Sequence, residues 1–295
     1  MFRPQIQTTW VVSLVAIFSM MMVYFAMENV TYHKTVGFED KIKATQIMEE
    51  ALSILKKEVK KKYPEAILDE IDPNLTGLIF NLPQSPMITF SGDLLSKQTV
   101  LKPNFSALIV DLFKRAKLSK GDTVAVGMTG SMPGANIALL SACKATGIIP
   151  IIITSVGASQ WGATDSSFTW LDMEKVLFEK NIISYRSIAA SLGGRGDRYK
   201  TKIIKDIIYG GEHGAILASE AIYRNGLTQI KGYSDRKLEY ENFIQGPLSN
   251  YSAYVNIGGG VSSIGVGGNK LLDGKTGIID FDDTIIKMKT FNKKL

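Results

Sequence analysis

A single cysteine, Cys143, and two histidines, His33 and His213, are spread through 295 residues. One thiol leaves no intramolecular disulfide, and so few soft ligands exclude a His/Cys zinc cluster; any metal would need oxygen ligands, and neither a metal nor a cofactor is expected. Charge of one sign is also scarce. The 34 Lys+Arg and 28 Asp+Glu leave a net +6, with bases and acids interleaved, as from Glu39 to Lys62. That excess is too small and too dispersed for a nucleic-acid binder, whereas small anions or an acidic polymer remain open as ligands. Repeats of fixed period and low-complexity segments are absent. With 45% hydrophobic residues the chain is not disordered as a whole, and its length suits one large domain or two smaller ones.

What the sequence does have begins at its N-terminus. No charged residue stands between Arg3 and Glu28, and the core of that run, Trp10 to Met27, reads WVVSLVAIFSMMMVYFAM. A bilayer-spanning helix needs about 20 such residues. The competing readings are a cleaved signal peptide and a buried soluble helix. A signal peptide has a shorter apolar stretch ending in an A-x-A-like site, which Ala26-Met27-Glu28 matches poorly. Trp10 and Tyr24 stand near the two ends, where amphipathic rings favour the membrane interface, and an uncleaved anchor contacting lipid through residues 8–27 is expected. Arg3 on one side and Lys34, Lys41 and Lys43 on the other leave its orientation undecided.

Lys41 to Lys62 has an amphipathic helical pattern, with Met48, Leu52, Leu55 and Val59 on one stripe, lysines in the last turns and Pro64 as the stop. Those lysines form either a solvated face or a contact for anionic lipid or polymer. Asp69 to Leu101, with Pro73, Pro83 and Pro86, reads as irregular. From Pro103 a further helix carries Phe105, Leu108, Ile109, Leu112, Phe113 and Ala116 at helical spacing.

The next stretch combines an apolar strand Thr123–Val126, a loop Gly127–Gly134, a helix to about Thr146 and a strand Ile148–Thr154. Such a strand-loop-helix-strand unit predicts a parallel sheet with crossover helices. A helix Trp170–Lys180 capped by Thr169, an apolar segment Ile182–Tyr185, helices near Tyr199–Tyr209 and Glu212–Asn225, and a late strand Tyr251–Ile257 continue the alternation. The fold class expected is therefore α/β: an N-terminal transmembrane helix followed by a mostly parallel, Rossmann-like sheet domain with flanking helices. The division expected is an anchor over 1–36, an amphipathic helix and irregular linker over 37–102, and the α/β domain over 103–295.

Ligands of open parallel sheets gather beyond the carboxyl ends of the strands, beside helix N-termini. The Gly127–Gly134 loop is placed there, with Gly127 and Gly130 allowing close backbone approach, hydroxyls on Thr129 and Ser131, and an amide on Asn136. A second loop, Ser155 to Asp165, leaves the next strand and contributes Ser155, Ser159, Gln160 and Trp161. Tight turns and helix caps would use the same residue types. Gly193 to Arg198 adds Arg195 as a candidate anion contact and Asp197 beside it; the RGD triplet there is read as coincidence. His213, next to Glu212 at a helix start, is a candidate base or a structural residue. Formal motifs fail: Ser131 is not in a G-x-S-x-G elbow, and Gly274-Lys275-Thr276 lacks a Walker A glycine at position 269, which is Asn269.

The segment Val126–Glu174, with its TGS-x-P-x-x-N loop and its S-x-G-x-S-Q-W-G-A loop, resembles the poly-gamma-glutamate system protein family. SLGGRGDR and VNIGGGVSSIG fit the same resemblance, which spans roughly residues 8–265, whereas the C-terminal end fits less well. The resemblance implies an N-terminal membrane segment and a role in making or exporting poly-gamma-glutamate, a bacterial capsule or released polymer. The implied partners are the membrane-bound synthetase and its small membrane partner. It transfers no catalytic role; Thr129, Ser131, Asn136, Ser159, Gln160 and Trp161 carry over as motif positions alone. Three functions are thus expected in competition. The first is an accessory protein that binds a small carboxylate, a glutamyl ligand or the acidic polymer. The second is a hydrolase of that polymer with Ser131 as nucleophile and His213 as base, and the third is a non-catalytic scaffold for the synthetase.

Overall fold

The computed structural model describes residues 8–30, 34–63, 70–80, 82, 84–199, 202–204, 207–258, 260, 262–265 and 278. The chain divides into two compact units, Met1–Val36 and Gly37–Leu295.

In the first unit, helix α1 (Thr9–Glu28) has 20 residues, none of them buried. At about 1.5 Å per residue it is some 30 Å long, the thickness of a bilayer's hydrocarbon core. Water is a poor solvent for a helix that is apolar all round, so α1 is long and apolar enough to cross a membrane. Asn29 closes it, with both its N–H and its Nδ2 donating to the Phe25 carbonyl.

The second unit opens with α2 (Phe38–Lys62), whose Ala44, Met48, Ala51, Leu52, Leu55 and Val59 are buried. Then come β1 (Ile88–Phe90), α3 (Leu94–Val100) and α4 (Asn104–Arg115). The central run is β2 (Thr123–Thr129), α5 (Pro133–Thr146), β3 (Ile149–Ser155), β4 (Ala158–Ser159), α6 (Trp170–Glu179) and β5 (Ser187–Ser191). The chain continues through β6 (Lys202–Ile204), β7 (Ile207–Tyr209), α7 (Glu212–Arg224), β8 (Thr228–Ile230), α8 (Gly232–Ile244) and β9 (Ala253–Asn256).

Five strands form one parallel sheet in the order β8-β5-β3-β2-β9. The chain builds outward from β2 through β3, β5 and β8, then returns to add β9 on the other side of β2. The crevice between the carboxyl ends of β2 and β9 is therefore the topological switch point, where open α/β sheets hold their ligands. Helices cover both faces. Val124, Val126, Met128 and Ile152 belong to a core shared with α2, α4, α5 and α6, while Ala125, Ile151, Ile153 and Ala189 pack with Tyr240 of α8. Helix α5 lies wholly inside: every residue from Pro133 to Cys143 is buried. That explains why it lacks a polar face. Two short pairs flank the main sheet, β1 parallel with β4 and β6 antiparallel with β7.

The expected α/β class with a mostly parallel sheet holds, and several details differ. The second unit begins at Gly37 and takes in α2, whose apolar stripe is buried in the same core as α4 and α5. The stretch read as irregular contains β1 and α3. The helix expected near Tyr199–Tyr209 is instead the β6–β7 hairpin, built from β-branched Ile203, Ile204, Ile207 and Ile208. The apolar segment Ile182–Tyr185 precedes a strand at Ser187–Ser191, and β8 and α8 were not anticipated. Thr169 caps α6 as expected: its N–H and Oγ1 both donate to Asp172 Oδ2 at 2.7 Å. Gly274-Lys275-Thr276 and the C-terminal end lie outside the described residues.

Candidate functional site

Strand β2 runs three residues further than its apolar pattern suggested, so Gly127 belongs to the strand and the loop is shortened to Gly130–Met132. Glycine at 127 has a packing reason. A Cβ there would stand 2.3 Å from Ser263 Oγ and 2.6 Å from the Tyr254 hydroxyl, both of which fill its face of the strand.

The two loops expected to be neighbours are joined. Gly130 N–H donates to Ser155 O, and Ala163 N–H donates to Gly130 O, each at 2.8 Å. Ser159 N–H donates to Ser131 Oγ at 2.9 Å. Ser131 Oγ also accepts from Thr129 Oγ1 at 3.2 Å, and Asn136 Nδ2 ties down the Thr129 carbonyl at 2.9 Å. Asn136 is fully buried, so it braces the loop from below. Gly162 lies so close to the first loop that a Cβ would come within 2.8 Å of both the Gly130 and the Ser131 carbonyl oxygens. Next to it Trp161 holds φ at 66°, a left-handed conformation that costs a bulky residue of order 1–3 kcal/mol. Its indole packs on the main core, and Gln160 is held by β1, with its N–H on Phe90 O at 3.0 Å. Gly258, just beyond β9, passes against Thr129 and Met132, which brings the switch-point crevice up to the first loop.

Sequence reading missed the group that links these loops. Lys97 of α3 is 4% exposed, and its ammonium donates both to the Ser131 carbonyl and to Ser159 Oγ, the latter at 2.7 Å. Helix α3 is aimed by its cap: Asp93 accepts from Ser96 N–H at 2.7 Å, a bond that also holds the Asp93 carboxyl below its ordinary range. Burial pushes the Lys97 amine down to about 8, against the opposing field of Asp93. Ser131 and Ser159 are half-buried, whereas Lys97 behind them is buried.

Other expected residues have different roles. Ser155 and Asp197 belong to a buried network around Arg236 of α8. Arg236 donates to Ser155 Oγ at 2.8 Å and to Ser191 Oγ, and pairs with Asp197 at 3.5 Å. Asp197 further accepts from Ser191 Oγ and Gly232 N–H, both at 2.9 Å. This network fastens α8 to the ends of β3 and β5, and it leaves Nε and Nη1 of the buried Arg236 without a hydrogen-bond partner among the described residues. The side chain of Arg195 lies outside the described residues. His213 is exposed in the first turn of α7, and no hydrogen bond among the described residues joins it to Ser131.

Collected at one edge, then, are two half-buried serines and a buried amine, a donor set suited to carboxylate or carbonyl oxygen. Among the described residues no group of three or more His, Cys, Asp or Glu side chains is arranged to hold a metal ion. Comparison with protein-family models, with curated proteins and with solved structures finds no match to this chain.

Proposed function

We propose that this protein is a membrane-anchored accessory component of poly-gamma-glutamate synthesis or export, and that its domain binds a carboxylate-bearing glutamyl ligand or polymer at the Ser131/Ser159 edge. The observation that carries the reading is Lys97, a buried amine in hydrogen-bond contact with both loops. Surface carboxylates meet surface lysines anywhere; a lysine fixed on a backbone carbonyl and a hydroxyl of two facing loops selects an oxygen ligand at one place. The resemblance of the TGS and SQWGA loops supports the choice of ligand and of a bacterial cell membrane, and the apolar helix α1 supports single-pass anchoring. On this reading the synthetase and its small membrane partner are the neighbours.

The test is calorimetric titration of the full chain in lipid nanodiscs with gamma-glutamyl oligomers. Saturable heat is expected from the wild type, with binding weakened at least tenfold by Ser131→Ala and by Lys97→Met. Absence of saturable heat from the wild type overturns the reading.

A further inference from the structure

The geometry points to a covalent role for the same edge: Ser159 is a nucleophile and Lys97 its general base, a serine–lysine pair that cleaves or transfers an amide- or ester-linked acyl group. This goes beyond ligand binding and does not depend on which acyl chain arrives.

Four features carry it. The base is in reach, with Lys97 Nζ 2.7 Å from Ser159 Oγ, inside the range of about 2.6–3.2 Å expected of a nucleophile and its base. The base has no counter-ion: among the described residues its contacts are a carbonyl and a hydroxyl, and Asp93 at the start of its own helix is the one charged group whose field acts on it. Neither Gly130–Met132 nor Ser159–Ala163 contains an acid or a base, so nothing from the facing loops holds the amine charged. Ser159 is partly exposed as a residue while Lys97 is buried behind it, so a substrate approaches from the serine's side. Finally the nucleophile is fixed. Its N–H is held by Ser131 Oγ, and the strained Trp161 follows two residues later.

A purely structural lysine would keep its charge and be matched by a carboxylate, because a buried cation without a partner is costly. An amine that gives up its proton near pH 8 beside a serine is the arrangement used by serine–lysine hydrolases on unrelated folds. In the step itself neutral Lys97 takes the Ser159 hydroxyl proton as Oγ bonds to the acyl carbon, and the carbonyl π pair moves to oxygen. When that pair returns, the bond to the leaving amine or alkoxide breaks, and the leaving group takes the proton from Lys97. Water then attacks the Ser159 ester, giving a proton to Lys97. Collapse releases the carboxylic acid and returns that proton to Oγ. In this arrangement Ser131 positions the nucleophile, and His213 takes no part.

The test uses the full chain in detergent micelles and a fluorophosphonate probe, with the adduct located by peptide mass spectrometry. One adduct on Ser159 is expected, forming at a rate that rises from pH 6.5 and levels off above a midpoint near 8. It is absent from Ser159→Ala and at least 100-fold slower in Lys97→Met and Lys97→Arg, the second of which keeps charge and donors but cannot accept a proton. Absence of an adduct on Ser159, or a rate unchanged in either folded Lys97 variant, overturns the proposal. Should both variants fail to fold, the wild-type profile decides: a rate that is flat, or that climbs tenfold per pH unit without levelling, also overturns it. The probe carries no glutamyl group, so its failure leaves the binding reading standing, and failure of the oligomer titration leaves this one standing.

Discussion

Lys97 and Ser159 are 62 residues apart in the chain and 2.7 Å apart in space, joined across a short helix and the two-residue strand β4. That contact makes one site out of two loops, and its first consequence is a pH signature. An amine whose folded value is about 8 against an ordinary 10.5 binds fewer protons folded than unfolded between those limits. Stability therefore rises with pH across that window, by on the order of 2–3 kcal/mol, and below pH 8 the buried ammonium is a full cost. Urea denaturation from pH 7 to 10 is expected to show that rise in the wild type and to lose it in Lys97→Met.

Glu174 of α6 predicts the opposite slope. It is fully buried, and burial pushes its carboxyl up to about 7, even though Ser187 N–H and Oγ donate to it at 3.0 Å and Arg186 lies 4.0 Å away. A raised carboxyl binds more protons folded than unfolded, so its contribution is complete below pH 4.5 and is lost as pH rises through 7. Glu174→Gln should remove that loss and make the protein more stable at pH 8 by on the order of 1–3 kcal/mol. Denaturation midpoints at pH 5 and pH 8 for the two proteins check it.

The place of α2 in the domain can be tested by truncation of a side chain. Leu55 is fully buried between α2 and the core, so Leu55→Ala should cost about 2–5 kcal/mol. Leu108 of α4 is 47% exposed, and Leu108→Ala should cost less than about 1 kcal/mol. Equal and small effects of both, measured in urea, would make α2 a linker element after all.

Gly162 is the hinge pin between the loops. A methyl group at 162 meets two carbonyl oxygens and the Ser131 Cα, all of them backbone, so neither loop can yield without moving the other. Gly162→Ala is expected to destabilise by about 1–3 kcal/mol and to weaken oligomer binding together with it. Binding unchanged in the folded variant would mean that the loops work separately.

The fold was largely legible because its central unit is locally consistent: the apolar run of β2, Pro133 at the first turn of α5 and Thr169 at the cap of α6 all agree with the packing that follows. The β6–β7 hairpin misled because Ile203, Ile204, Ile207 and Ile208 fit a helical face as well as two short strands, and their branching decides only once the strands pair. Within the site, Ser131 and Ser159 were legible from glycine-rich strand ends. Lys97 was not. It stands in a proline-flanked stretch with no strong period, and its meaning comes from partners 34 and 62 residues away. The partner of Asp197 and Ser155, Arg236, was illegible for the same reason, since it comes from a helix that was not anticipated.

The central claim is that the buried Lys97 amine stands behind an oxygen ligand held at the junction of the two loops, and NMR titration of the Lys97 side chain in the full chain reads it directly. Without ligand the resonance should titrate with a midpoint near 8; saturating gamma-glutamyl oligomer should move that midpoint upward, because a carboxylate beside the amine favours its charged form. A midpoint near 10.5, or one that does not move when the oligomer is added, would contradict the account.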